Sequence, residues 1–451
     1  MTVTTPLDGF IAGASDCMCG KEHTHQLKQL YVADSSCEEL LPGLLEDYKA
    51  NKIHFISSEA AMKRLGERVY MSLCSLGHQV SSSVFPEESG FICDHVSAGD
   101  LLIHTPHDAQ LLIAVGDKTV CDLAKFVSSK ERLPLIFLPV SASSDTFSMP
   151  YAEFTENDHR TRIRLTAPEI IVADISVLRD APSPDTGAGV SCILADLVSL
   201  SDWDLSSKVT GSYICPKLSD ELSAMCRSIL RKIENGLSPR EPSLMSELMT
   251  CLVASGIITE MAGTTAPVRG SESDIARHVE NILVSEDITD VSFETLRGIA
   301  ALYSVRMYEY LKRHTPSFEE ARSGFSGFDS VYFNKELFRV FGDSEGFRIL
   351  SSFDGDNYYR RESRFLRLDL LAANLNTFLG PIWDNLPSSS RMTSLLRSMS
   401  VPVSFREIGL SAEEITDVLV WSKELSGRYG IARLLSDLLM LELCSCDLNQ
   451  L

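Results

Sequence analysis

Four groups of residues in this chain are of types and spacings that could do chemistry. Gly116-Asp117-Lys118-Thr119 follows the apolar run Leu111–Val115 and leads into a helical pattern. A strand that turns sharply into a helix there would leave a helix N-terminus free to hold a phosphate. Cys17 and Cys19, with His23 and His25, have the look of a zinc knuckle. The C-x-C spacing is shorter than the usual structural-zinc pair and no second cysteine pair lies near in sequence, so no metal is expected there. Cys192, Asp274 and His278 offer an S, O, N set that zinc accepts, with Asp274 and His278 on one helical face. Arg297 carries a permanent positive charge that could clamp a phosphate or carboxylate.

The elements that would position these groups fall into two halves. Short apolar strands are predicted at 27–32, 52–56, 79–85, 111–115, 135–138, 162–165 and 170–173, with helices at 59–76 and 119–127 between them. Alternation of this kind predicts an α/β domain with a mostly parallel sheet over residues 1–180. The stretch 181–189, APSPDTGAG, reads as a hinge. Beyond it the periodicity is helical: 190–203, 218–234, 243–261, 274–283, 295–312, 365–378, 412–425 and 428–443, giving an all-helical domain over 181–451. Residues 316–356 are the least regular part, and Cys444 and Cys446 read as lying in a polar tail. Two such halves place a ligand cleft between them.

Composition narrows the function. The net charge of −21 over 451 residues argues against nucleic acid and anionic membrane surfaces. No apolar run approaches the length of a bilayer span in this reading, and the N-terminus MTVTTPLDGF lacks a signal-peptide core, so a cytoplasmic setting with reduced thiols is expected.

Several strings together resemble the glycerol-1-phosphate dehydrogenase family, part of the dehydroquinate-synthase-like and iron-containing alcohol dehydrogenase superfamily. CMCGKEH (17–23) is similar to an N-terminal signature, IAVGDKTVCDLAKF to the pyrophosphate turn G-S-G-T-x-x-D, and LPVSASSD to a P-T-x-x-S-x-D loop. PEIIVADISVLRDAP resembles the end of the first domain. GAGVSCILADLVSLSDW resembles the interdomain helix, PVRGSESDIARHVE resembles P-x-S-G-x-E-H-x-x-S-H, and GRYGIARLLSDLLMLE resembles the last helix. The resemblance covers nearly the whole chain. It implies a Rossmann-like domain plus a helical domain carrying the metal site, and NAD(P)H-dependent, metal-assisted reduction of dihydroxyacetone phosphate. By the same matching, Gly116, Lys118, Thr119, Asp122 and Ser143 fall at cofactor-binding positions and Asp145 at a catalytic one.

The resemblance also exposes departures. The family's three metal ligands, an Asp and two His, fall on Cys192, Ser273 and Arg297, and its interdomain Lys falls on Asp196. A serine hydroxyl is a poor ligand for zinc or nickel and arginine is none at all. Asp117 and Lys118 replace the small residue and glycine of the pyrophosphate turn. These changes imply a degenerate, metal-free member with weak NAD or NADP binding, a small phosphorylated or anionic metabolite as partner, and a possible homo-oligomer. Arg297, facing the cleft, would pair with Asp145 or Asp196, or hold an anionic ligand at the reacting position. The alternative is an active NAD(P)-dependent oxidoreductase with a metal site rebuilt from Cys192, Asp274 and His278, or one acting on a different small anionic substrate.

Overall fold

A computed structural model describes residues 17–33, 37–86, 91–156, 159–286, 288, 291–352 and 358–449. The chain divides into two compact units: Met1–Ile193 with Pro216–Thr265, and Leu194–Cys215 with Ala266–Leu451.

The first unit is built on a six-stranded parallel sheet in the order β1-β8-β5-β4-β2-β3. Its strands are β1 (Gln29–Ala33), β2 (Lys52–Ser58), β3 (Gln79–Phe85), β4 (Leu111–Gly116), β5 (Leu135–Pro139) and β8 (Ile170–Asp174). Every residue of β4, β5 and β8 is buried, which is why these strands read as unbroken apolar runs: a central parallel strand is covered on both faces. β4 pairs with β5 from Leu112↔Leu135 to Gly116↔Pro139, so both strands end level at the turn that opens the next helix. A separate antiparallel hairpin, β6 (Tyr151–Glu156) and β7 (His159–Arg164), follows the loop after β5.

Helices α1 (Cys37–Tyr48), α2 (residues 59–75, with a π-turn over Met62–Gly66), α3 (His95–His104), α4 (Lys118–Glu131) and α5 (Ile175–Arg179) complete this α/β layer. Helix α6 (Ser183–Thr210) starts inside the expected hinge, in the first unit, and ends in the second. Pro182 and Gly189 there mark a helix start, not a flexible joint, since proline is tolerated just outside a helix N-terminus.

Helices α7 (Pro216–Glu234) and α8 (Pro242–Ala262) belong to the α/β unit, so the compact unit differs from the expected 1–180 span. Glycine makes this packing possible. A Cβ on Gly256 of α8 would lie 2.2 Å from Ser148 Oγ, and Ser148 Oγ donates to Val253 O at 2.6 Å. By length and mean hydropathy (1.3) α8 is apolar enough to cross a membrane, contrary to expectation, but 83% of that window is buried in the fold. It is a core helix, apolar on all sides because it is covered on all sides.

The second unit is helical: the end of α6, then α9 (Ser271–Ser285), α10 (Phe293–Arg313), α11 (Phe318–Ser323), α12 (Ser330–Ser352), α13 (Arg361–Asn385), α14 (Ser389–Ser398), α15 (Ala412–Trp421), α16 (Ile431–Asp437) and α17 (Leu441–Leu448). Its core gathers Leu296, Ile299, Tyr303, Met307, Leu368, Phe405, Ile415 and Leu434. Three expectations change here. Residues 316–356, as far as they are described, carry α11 and the whole of α12, which kinks at Gly342 (φ 70°). The single last helix expected over 428–443 is two, parted where Leu439 takes φ 55°. The supposed tail is α17, with Cys444 fully buried.

Candidate functional site

The turn between β4 and α4 is shaped by its first residue. A Cβ on Gly116 would stand 2.6 Å from Val120 Cβ, so only glycine lets α4 start directly over the strand end. Asp117 is the N-cap of α4, its Oδ1 accepting from Val120 N at 3.1 Å. One of the amides that would otherwise greet an anion is therefore already occupied by a carboxylate. A second carboxylate, Asp185, is close enough for Asp117 to hold its pKa up, after burial as the larger cause and against the lowering effect of Arg64. Arg64 Nη1 lies 3.9 Å from Asp185.

Lys118 takes the helix position after the cap. Its Nζ lies 3.2 Å from Glu153 Oε2 and 3.7 Å from Asp122 Oδ2. Asp122 is buried and also faces Lys125 Nζ at 2.7 Å, and Lys125 donates to Thr146 O (3.1 Å) and Tyr151 O (2.7 Å). Burial is the largest single influence on the fully buried Lys125 and pulls its pKa down, yet the charge and hydrogen bond of Asp122, with Cys121 beside it, together leave it raised. Asp122 and Lys125 thus bind α4 to the 144–151 segment, and Lys118 is drawn into the same internal network. Thr119 and Ser143 are half-buried. Ser143 Oγ is 2.9 Å from Ser141 Oγ. Asp145 is fully buried in the loop between β5 and β6. A Cβ on Gly189 would lie 2.0 Å from Ala142 O, so α6 presses backbone to backbone against this loop.

In the second unit, Arg297 lies on α10 with no exposed surface. Its Nη2 donates to Val268 O at 2.7 Å and to Asp196 Oδ1 at 3.0 Å, and lies 3.4 Å from Glu272 Oε1. Asp196 and Glu272 are likewise fully buried. Ser273 Oγ and Ser199 Oγ each donate to Glu272 Oε1 at 2.7 Å, and Gly270 N donates to Oε2 at 3.1 Å. Ser273 and Arg297, at two of the three positions that the resemblance gives to metal ligands, therefore converge on one carboxylate oxygen. The internal pairing expected for Arg297 is present with Asp196, and Glu272 joins it. Glu272 could have been found from the sequence, since it matches the glutamate of the E-H string.

This donor set does not fit the divalent ion of the family. A guanidinium cannot ligate, and a dication within about 4 Å of it would be repelled by several kcal/mol even at an effective dielectric of about 20. The set Cys192, Asp274 and His278 does not form a replacement. Among the described residues the one group of Cys, His, Asp or Glu with ligand atoms close enough for a metal does not include them. Cys192 is fully buried on α6. Ser426 Oγ donates to Asp274 Oδ2 at 2.5 Å. His278 Nδ1 is 3.1 Å from Ser422 Oγ, and its ring lies 4.4 Å from that of Phe341. Burial pushes the His278 pKa down to about 3, so it is a neutral core imidazole.

Asp202 organises this unit. Its carboxylate accepts from Ser271 N (2.7 Å), Ile431 N (3.0 Å) and the Tyr308 hydroxyl (2.6 Å), joining α6, α9, α10 and α16. Gly270 and Gly430 make the slot: a Cβ on either would meet this carboxyl group at 2.8 Å or less.

A helical domain after a six-stranded parallel sheet is the dehydroquinate-synthase-like architecture. Residues 33–182 match the family model "Iron-containing alcohol dehydrogenase". An iron-containing alcohol dehydrogenase from Corynebacterium glutamicum superposes with TM-score 0.59 at 13% identity, covering 94% of this chain and 96% of that one. A glycerol dehydrogenase from Schizosaccharomyces pombe gives 0.57 at 15% identity, with 96% and 93% covered. In sequence, the chain is 22% identical over 417 residues to a glycerol-1-phosphate dehydrogenase [NAD(P)+] of Bacillus licheniformis, spanning 92% of this chain and 90% of the relative. It is 29% identical over 244 residues to that of Bacillus subtilis, covering 52% and 60%. The chain is thus similar in sequence to glycerol-1-phosphate dehydrogenases and, over residues 33–182, to the iron-containing alcohol dehydrogenase family.

Proposed function

We propose that this protein is a degenerate member of the family it resembles: a protein with no metal at the matched ligand positions and with weak or no dehydrogenase activity, which binds a small phosphorylated or anionic metabolite in a cytoplasmic setting. The observation that carries the reading is Arg297. Its guanidinium, fully buried between Asp196 and Glu272, supplies at a matched ligand position the positive charge that an ion would otherwise bring. A fixed cation held by two carboxylates and a backbone carbonyl has no open coordination position and cannot polarise a carbonyl as a Lewis acid does.

Weak cofactor binding is supported by the turn at the start of α4. Asp117 occupies an N-terminal amide, Asp185 adds negative charge nearby, and Lys118 is held by Glu153 and Asp122. A dinucleotide would have to displace one carboxylate and tolerate another. In this reading Asp122, Lys125 and Ser143 keep the loop around Asp145 in place, and Arg297 holds α10 to α9 and α6.

Two measurements test it. Titration calorimetry of the full chain should find NADH and NADPH binding far weaker than low micromolar. Replacing Asp117→Ser together with Lys118→Gly should tighten it by about tenfold, or ~1.4 kcal/mol. Assays with dihydroxyacetone phosphate and NADH should show no turnover with or without added zinc, nickel or iron. Metal-dependent turnover at the rate of an ordinary dehydrogenase would overturn the reading. Low-micromolar cofactor binding, or a double variant with no effect, would remove its cofactor part.

A further inference from the structure

The described chain opens with a segment whose side chains the reading above does not use. The Sγ atoms of Cys17, Cys19 and Cys215 and a ring nitrogen of His23 all lie within 4.8 Å of one another. Cys215 directly precedes Pro216, the first residue of α7, so one peptide bond ties it to the first unit. His25 stands outside the group. From these observations we propose that Cys17, Cys19, His23 and Cys215 bind one zinc ion as a closed structural site.

The chemistry and the geometry agree. Three thiolates and one imidazole form the Cys₃His set of structural zinc sites. Zinc–sulfur bonds of about 2.3 Å at tetrahedral angles put sulfurs about 3.8 Å apart, within the spread of this group. Cys19 Sγ is already 3.3 Å from His23 Nε2. Cys19 N donates to Cys17 Sγ at 3.3 Å, a bond that stabilises a thiolate. Gly20, at φ 84°, turns the chain between Cys19 and His23 so that both face one point.

The second shell is built as a metal site requires. His23 Nδ1 is 2.8 Å from Met261 O. A carbonyl can only accept, so Nδ1 carries the proton and Nε2 presents its lone pair toward the cysteines. Lys21 Nζ donates to Ala262 O at 3.2 Å. Both carbonyls belong to the last turn of α8, where helix acceptors have no partner within the helix. The ion would pin the entering segment to the end of α8 and the start of α7. The short C-x-C spacing argued against zinc only while a second pair was sought nearby in sequence; the further ligand is 196 positions on from Cys19, at Cys215. With four protein ligands no position is left for substrate, so the site is structural, and it is independent of the metal-free reading of Arg297.

The test is metal analysis of the full chain purified without chelator. About one zinc per chain is expected, resistant to dialysis and released by a mercurial that modifies thiols. Cys17→Ser with Cys19→Ser should abolish it and Cys215→Ser should weaken it, while Cys226→Ser, in a buried pair with Cys251 (3.7 Å), should leave it unchanged. Should a variant fail to fold, cobalt in the unaltered chain decides: intense tetrahedral d–d bands with thiolate charge transfer are expected, and their absence overturns the site. Zinc well below stoichiometry, or zinc indifferent to both sets of cysteine changes, also overturns it. Zinc lost instead on Cys192→Ala overturns both this site and the metal-free reading.

Discussion

Replacing Arg297 by leucine should destabilise the helical unit severely. The change removes a guanidinium 3.0 Å from Asp196 and 3.4 Å from Glu272, all three side chains being fully buried. Glu272 keeps donors from Ser199, Ser273 and Gly270. Removing one partner of a buried ion pair costs about 3–5 kcal/mol. For a unit of about 200 residues that is about 6–20 °C in melting temperature. The deficit should depend on pH in a definite direction. A buried carboxylate stripped of its counter-charge has its pKa raised, and such a group gives stability at low pH that is lost as pH rises through the folded value. The variant should therefore lie nearest the parent around pH 5 and furthest from it around pH 8. Thermal melts followed by fluorescence and circular dichroism, with and without a panel of phosphorylated metabolites, measure this. Arg297→Leu combined with Asp196→Leu should recover part of the loss. If the single variant melts with the parent but loses stabilisation by small anions, Arg297 serves a ligand and the internal-pair argument is refuted.

Two further outcomes follow from the packing and the titration of the fold. Gly189→Ala should cost about 1–3 kcal/mol or more, because its Cβ would sit 2.0 Å from Ala142 O and must push the 141–148 loop away; urea unfolding checks this, and a change under 0.5 kcal/mol would refute the close approach. Burial holds the carboxyls of Asp202 and Asp274 up to about 6, against the hydrogen bonds and cations that pull them down. Their contribution to stability is full below the unfolded value and lost as pH rises through 6, so Asp202→Asn should lower the melting temperature yet flatten its fall between pH 5 and 7. An unchanged slope would exclude Asp202 as its source.

Much of the architecture was legible in the sequence for a local reason. β4, β5 and β8 are buried on both faces and so read as pure apolar runs, and Gly116 marks the turn because no other side chain clears Val120. The replacement of matched metal ligands by Ser273 and Arg297 is likewise a statement about residue types, needing no coordinates. Where local pattern misled, burial was the cause. α8 is apolar all round because the fold covers it, and the Pro- and Gly-rich stretch that resembled a hinge starts a helix whose Gly189 is spent on contact with a loop. What only the tertiary structure decided were the partners. Glu153 reaches Lys118, Glu272 and Asp196 reach Arg297, and Cys215 reaches Cys17, Cys19 and His23 across long separations along the chain. A charge or a thiol shows in the sequence as a type. What it pairs with depends on which elements pack together, and that is settled by burying the apolar faces, which leave no mark beside the charged residues themselves.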